Sequence, residues 1–267
     1  MDHLAKSEPV RPPHSCSHLN RLQFAYFGVH VELTWDLPEL DDFMARLLLP
    51  IWAPDPSLTP NATFHVFAEG EELLIQGPDN ETPRVYRPDF FETLERRLHF
   101  YLANHCREVA FVHAGAVSWN GQVILIPGTS FSGKSTLTHQ LVEAGATYFS
   151  DEYAVVDRAG LVHPFPRPIA LRQDGGRRLT PTRIGLAAQP VGQMISTQFQ
   201  TGAKWNPRPI SQGQAVLELL SHTVSAQKWP ALALACLKAC VSRARCWVGA
   251  RGDASETATL ILKSPPV

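Results

Sequence analysis

Apolar and polar residues alternate along this chain in two rhythms. Phe111–Trp119 and Gln122–Ile126 are short apolar runs joined by Asn120-Gly121. Asn-Gly supplies the positive φ values of a tight turn, so the pair predicts a β-hairpin. Lys134–Ala144 reads as a helix closed by Gly145, and short strands are expected at Thr147–Phe149, Ala154–Asp157 and Leu161–His163. Upstream, Phe91, Leu94, Leu98 and Leu102 recur every three or four residues, which predicts a helix from Pro88 to about His105. Arg21–Trp35 is rich in aromatic and β-branched residues and reads as one strand. Residues 37–49 have a helical pattern, and Thr63–Ala68 and Glu71–Gln76 flank a hairpin turn at Glu69-Gly70.

Downstream of Gly175 the pattern fades. Residues 175–211 are rich in Gly, Pro, Gln, Thr and Arg and read as a long irregular stretch. Helices are expected at Gln214–Ala226 and Pro230–Ser242, then a strand around Cys246–Val248 and a closing helix at Glu256–Leu262. The predicted organisation is a flexible tail (1–20), a small N-terminal α+β unit without evident chemistry (21–105), and a larger mixed α/β unit (106–267).

The 267 residues are 44% hydrophobic and 18% charged, enough apolar surface for a sizeable core. The 24 Lys and Arg nearly balance 25 Asp and Glu, so neither a nucleic acid nor a membrane surface is an expected partner. No apolar run reaches the roughly 18 residues of a membrane span. The first twenty residues lack the apolar core of a signal peptide, so a cytoplasmic location is expected. Five cysteines, an odd number, are read as thiols. His14, Cys16 and His18 lie in a polar, Pro-containing tail that does not suit a four-ligand zinc site.

One segment carries specific chemistry. Gly128-Thr129-Ser130-Phe131-Ser132-Gly133-Lys134-Ser135-Thr136 matches Gly, four residues, Gly-Lys-Ser/Thr, between an apolar strand and a helix. Glycines let successive backbone N–H groups turn toward one anion, and the helix N-terminus adds its dipole. Lys134 is placed for the β- and γ-phosphates of a nucleoside triphosphate, expected to be MgATP, and Ser135 for Mg²⁺. Ser150-Asp151-Glu152 follows the next short strand. Asp151 is assigned mainly to the metal and Glu152 mainly to the acceptor hydroxyl, since adjacent residues on an extended chain diverge. His113 lies on the strand before the loop, where core packing and a place in the site are both open. Arg167 and Arg172, in a proline-rich run, are candidates to clamp a phosphoryl group, with Lys204 and Arg208 as weaker ones.

The run from His113 to Asp157 resembles the catalytic domain of the HPr serine kinase/phosphorylase family. The shared features are the histidine-bearing hairpin strand, the loop GTSFSGKST, the helix ending in Ala-Gly and the SDE acids. The resemblance implies a P-loop on a mixed sheet, as in that family and phosphoenolpyruvate carboxykinase. It also implies ATP- and Mg²⁺-dependent transfer to a serine hydroxyl, with Asp151, Glu152 and His113 at the site. Two features depart from the family: the second acid is Glu, and the downstream Leu-Glu-Val-Arg-Gly-Leu-Gly signature is absent. The departures bear on the phosphorylase reaction, on HPr as substrate and on hexamer formation; homo-oligomerisation stays open. The leading expectation is a kinase acting on a protein, peptide or small-molecule hydroxyl. The alternatives are a nucleotide-binding regulatory module and an ATPase.

Overall fold

The computed structural model describes residues 20–47, 52, 54–57, 59–79, 82, 84–85, 87–129, 131–171 and 177–263. Residues 1–19, with His14, Cys16 and His18, lie outside the described residues, as do Ser130 and Arg172.

The first sheet contains β1 (Asn20–Tyr26), β2 (Val29–Trp35), β3 (Ala62–Glu69), β4 (Glu72–Gln76) and β5 (Arg84–Val85), paired in that order. The single strand expected over Arg21–Trp35 is a hairpin instead. Phe27 (φ 43°) and Gly28 (φ 74°) both take the left-handed conformation that a two-residue turn demands. Phenylalanine is an unusual residue for that role, so composition concealed the turn. α1 (Asp41–Leu47) lies between β2 and β3, and α2 (Phe90–His105) follows β5. The apolar stripe of α2, with Leu94, Leu98 and Leu102, packs into the same core as Phe24, Leu33 and Phe64 of the sheet.

The second sheet is built from β6 (Val109–Trp119), β7 (Gln122–Pro127), β8 (Thr147–Ser150), β9 (Tyr153–Asp157) and β10 (Leu161–His163). A small hairpin, β11 (Ile169–Leu171) with β12 (Arg177–Leu179), stands apart. β13 (Gln189–Phe199), β14 (Arg208–Pro209) and β15 (Arg245–Arg251) complete the large sheet in the order β10-β9-β6-β7-β13-β15-β14, with β8 also on β6. β6 pairs antiparallel with β7, as its Asn-Gly turn predicts, while β13 runs parallel to both β7 and β15. The protein is thus a mixed α+β fold with mixed sheets.

β13 overturns the expectation of an irregular stretch over 175–211. An eleven-residue strand fills the middle of the sheet. Its buried positions include Gln193 as well as Val191, Met194 and Ile195, so the near-continuous apolar run expected of a central strand is broken.

The helices α3 (Lys134–Glu143), α4 (Gln212–Ser221), α5 (Pro230–Val241) and α6 (Ala254–Lys263) cover the large sheet. Strand alternation divides β6 between two cores. Ala110, Val112, Ala114 and Ala116 pack with Leu219 of α4 and with Cys236 and Leu237 of α5. Val117, on the other face, packs with Leu137 and Leu141 of α3 and Ile261 of α6. α4 begins two residues before its predicted start, because Ser211 and Gln214 form a reciprocal capping box. It also stops short of the predicted Ala226.

The predicted break near residue 105 is not a break in packing. One cluster joins Phe24, Trp52 and Leu98 to Phe111, Tyr153 and Phe165. No helix among the described residues is long and apolar enough to cross a membrane.

Candidate active site

β7 delivers the chain to Gly128, whose N–H donates to the His113 carbonyl at 3.4 Å. Within the loop, Ser132 N–H donates to Thr129 O at 3.3 Å. Phe131 and Gly133 both have positive φ, 69° and 83°, and α3 starts immediately after. Positive φ is ordinary for glycine and strained for phenylalanine, whose ring stands 85% exposed at the crest of the loop. The Gly133 carbonyl accepts from Leu137 N–H at 3.1 Å and from the Arg251 guanidinium at 2.6 Å. A Cβ on Gly133 would run into that guanidinium.

Lys134 folds back into the site, where its Nζ donates to the Asp151 carbonyl at 2.6 Å and lies 4.0 Å from Asp151 Oδ1. Gly115 of β6 makes room for this, because a Cβ there would meet the side chains of Thr138 and Lys134.

Asp151 and Glu152 occupy the break between β8 and β9, two strands that share one edge of β6. Ser150 staples the break: its hydroxyl donates to Tyr153 O at 2.5 Å and accepts from Tyr153 N–H at 3.2 Å. The two acids then face different surroundings. Asp151 is buried, and burial raises its pKa above its ordinary value against the opposing effects of Lys134 and the Ser135 hydroxyl. Glu152 is also raised by burial, but hydrogen bonding to His113 and the charges of Arg167 and Lys134 outweigh this and bring it down to about 2. His113 therefore faces the site rather than the core. Its Nε2 is 3.5 Å from Glu152 Oε1.

Arg167 closes the other side. Tyr148 Oη donates to the Arg167 carbonyl at 2.6 Å, which fixes its backbone after the proline-rich run. Its guanidinium donates to Glu95 Oε2 at 2.9 Å and lies 4.0 Å from Glu152 Oε2. Arg178 of β12 donates to the same Glu95 oxygen at 2.7 Å. The N-terminal unit, expected to carry no chemistry, thus supplies a buried carboxylate that holds two arginines behind the acids.

Three cavities meet here. A central one of about 200 Å³ is lined by His113, Lys134, Ser135, Asp151 and Glu152. Across Thr129 and Phe131 lies a second of about 590 Å³, with Ser196, Glu218, His222 and Arg208 in its wall. Across Asp151, Glu152 and Ala170 lies a third of about 340 Å³, lined by Arg96, Arg167 and Arg178. Lys204 is exposed and lines none of these.

Buried polar atoms without a partner show where a ligand would satisfy the protein. Ser132 Oγ and Asp151 Oδ1 are both buried with no hydrogen bond. The Asp151 carboxylate also interacts with the Ser135 hydroxyl, and the two side chains supply hard oxygens of the kind Mg²⁺ takes, since that ion keeps several waters and phosphate oxygens around few protein ligands. Among the described residues no group of three or more His, Cys, Asp or Glu side chains forms a full metal cage. The described cysteines, Cys106, Cys236, Cys240 and Cys246, are buried free thiols away from the site.

Glu95 and Arg251 were not anticipated from the sequence. Glu95 had a signal, because it is an acid on the apolar stripe of α2 between Leu94 and Leu98. Arg251 had none, since it lies 118 residues from the carbonyl it holds. A scan against protein-family models and a search of curated proteins both return no match for this chain.

Proposed function

We propose that the protein is an ATP- and Mg²⁺-dependent kinase that transfers the γ-phosphoryl group to a serine hydroxyl of a protein or peptide. The observation that carries this reading is convergence in one cavity: the glycine-rich loop, Lys134, the unsatisfied Asp151 Oδ1 and the ionised Glu152. The resemblance to HPr kinase-related enzymes over His113–Asp157 supports it. The loop holds the phosphates as a P-loop, and Lys134 turns from the Asp151 carbonyl toward the β- and γ-phosphates. Ser135 and Asp151 hold Mg²⁺, which supplies charge neutralisation to the transferring phosphates.

Glu152 receives the acceptor hydroxyl. The acceptor O–P bond forms as the bond from Pγ to the β,γ-bridging oxygen breaks, and ADP leaves. A carboxylate with a pKa near 2 is a weak base, so Glu152 orients the hydroxyl and takes its proton only as the O–P bond develops. That timing suits a loose phosphoryl-transfer transition state, which asks for positioning more than for early deprotonation. His113 and Arg167 hold Glu152 in place.

The test is incubation of γ-labelled ATP with serine peptides, using the parent and Glu152→Gln. Transfer to peptide that falls roughly 10²–10⁴-fold in the variant, with MgATP affinity unchanged, is the expected result. Label released only as inorganic phosphate makes the protein an ATPase. ATP binding with no turnover makes it a nucleotide-binding module.

A further inference from the structure

β13 runs parallel to its neighbours β7 and β15, so the carboxyl ends of all three lie together at one end of the large sheet. The cavity of about 590 Å³ opens there, walled by Pro127 and by residues 196–198 and 248–250. The crevice outside the carboxyl ends of parallel strands is where such sheets take their ligands. The volume is ordinary for a small-molecule site. Gly128 and Ser132 of the phosphate loop belong to its wall, and Thr129 and Phe131 line both this cavity and the central one. The buried Ser132 Oγ, which has no hydrogen-bond partner, is part of that wall. The charged residues of the cavity are Arg208 and Glu218, one of each sign, beside His222. Nearly balanced charge suits the uncharged end of a nucleotide, while Lys134 lines the central cavity.

We propose that this cavity takes the nucleoside of ATP and that Glu218 accepts the hydrogen bonds of its ribose hydroxyls. The assignment rests on the reading of the loop as a triphosphate site. Glu218 lies on α4, one turn before the C-cap residue His222. The Ser196 hydroxyl donates to Glu218 Oε1 at 2.6 Å, and His222 Nε2 lies 3.7 Å from the same oxygen. Glu218 Oε2 has no hydrogen bond or ion pair among the described residues, and the side chain is 38% exposed. The carboxylate is thus fixed through one oxygen and free for a ligand at the other. A carboxylate accepts without donating, and the two neighbouring hydroxyls of a ribose are donors that match it. An acid on a ribose hydroxyl is a recurring way for parallel sheets to hold nucleotides. The end of α4 is also tied to the phosphate loop. The His222 carbonyl accepts from His113 N–H at 2.8 Å, and the His113 carbonyl accepts from Gly128 N–H at 3.4 Å. That chain of contacts through β6 holds Glu218 in register with the residues that hold the phosphates.

The experiment is isothermal titration of ATP, 2′,3′-dideoxyATP and tripolyphosphate, each with Mg²⁺, into the full-length parent and Glu218→Ala. The parent should bind ATP about tenfold more tightly than the dideoxy nucleotide, the worth of a hydrogen bond to a charged group. Glu218→Ala should bind ATP about tenfold more weakly than the parent, bind dideoxyATP as the parent does, and so lose the preference. Tripolyphosphate should bind both proteins equally, because the loop is untouched. Glu218→Gln, which can still accept from Ser196, should show a smaller loss of the preference and carries the test if the alanine variant does not fold. Equal binding of the two nucleotides to the parent, an undiminished preference in the variants, or equal weakening of all three ligands overturns the proposal while leaving the phosphate loop as read. A folded parent that binds none of the three removes the triphosphate reading and the proposal together.

Discussion

The two walls that meet at Asp151 and Glu152 are held in different ways. The loop wall is one consecutive stretch, Gly128–Thr136, fixed by backbone hydrogen bonds and by a lysine folded onto the Asp151 carbonyl. The arginine wall is assembled from three distant places: α2, the run ending in Arg167, and the β11–β12 hairpin. It depends on a single buried carboxylate, Glu95. A cradle of backbone dipoles can lose one contact and keep its shape. A wall in which two cations share one hydrogen-bonded carboxylate cannot, because removing it unpairs Arg178 and leaves Arg167 only the longer contact to Glu152.

The largest expected effect follows from that difference. Glu95→Ala leaves Arg167, which is 13% exposed, with only the longer 4.0 Å contact to Glu152, and takes from the more exposed Arg178 its ion-pair partner. It should cost about 3 kcal/mol or more of unfolding free energy, read from urea denaturation. Glu95→Gln, which can still accept a hydrogen bond, should cost less. A loss below about 1 kcal/mol for the alanine variant would show that the wall is not held by this ion pair.

Arg251→Met tests the loop wall. It deletes the donors to Gly133 O and Gly252 O but also relieves burial, which lowers the Arg251 pKa. The net stability loss should be about 1–2 kcal/mol, smaller than for Glu95→Ala. Calorimetry should show MgATP affinity about tenfold weaker, as expected when a site loses part of its preorganisation. Unchanged affinity would mean that the loop keeps its shape without this brace.

The smallest effect comes from His99, fully buried behind the arginine wall. Burial first, then Arg167 and Arg178, depress its pKa well below the usual histidine value. The folded state therefore refuses a proton that the unfolded chain binds below about pH 6.5. Stability should be fully present above that pH and fall as pH drops through it, by up to about 1.4 kcal/mol per unit. His99→Leu should flatten this part of the curve, as measured by denaturation on either side of about pH 6.5. An unchanged slope would assign the acid sensitivity to other groups.

What could be read in the sequence follows the same division. The β6–β7 hairpin, the loop, α3 and the turn at Asp151-Glu152 are each encoded by neighbouring residues: Asn120-Gly121, the glycines, the helical spacing and Ser150. Their placement needs little tertiary information. β13 could not be read because its buried positions include Gln193 and its first half carries Pro190 and Gly192. Pairing with β7 and β15, not its own pattern, makes it a strand. The Phe27-Gly28 turn was hidden by an atypical residue at positive φ. The candidate site divides likewise. His113, Lys134, Asp151 and Glu152 fall in 40 consecutive residues (113 to 152), whereas Glu95 and Arg251 reach the site only through the fold.

The central claim is that the loop and the acid turn form one triphosphate site. Isothermal titration of MgATP into the parent protein and Lys134→Met tests it most directly. The account predicts one site per chain in the parent and an affinity at least about 100-fold weaker in the variant, since a charge-assisted phosphate contact is lost. The variant should keep the parent's circular dichroism spectrum. Absence of MgATP binding to the folded parent, or equal binding to Lys134→Met, would contradict the account.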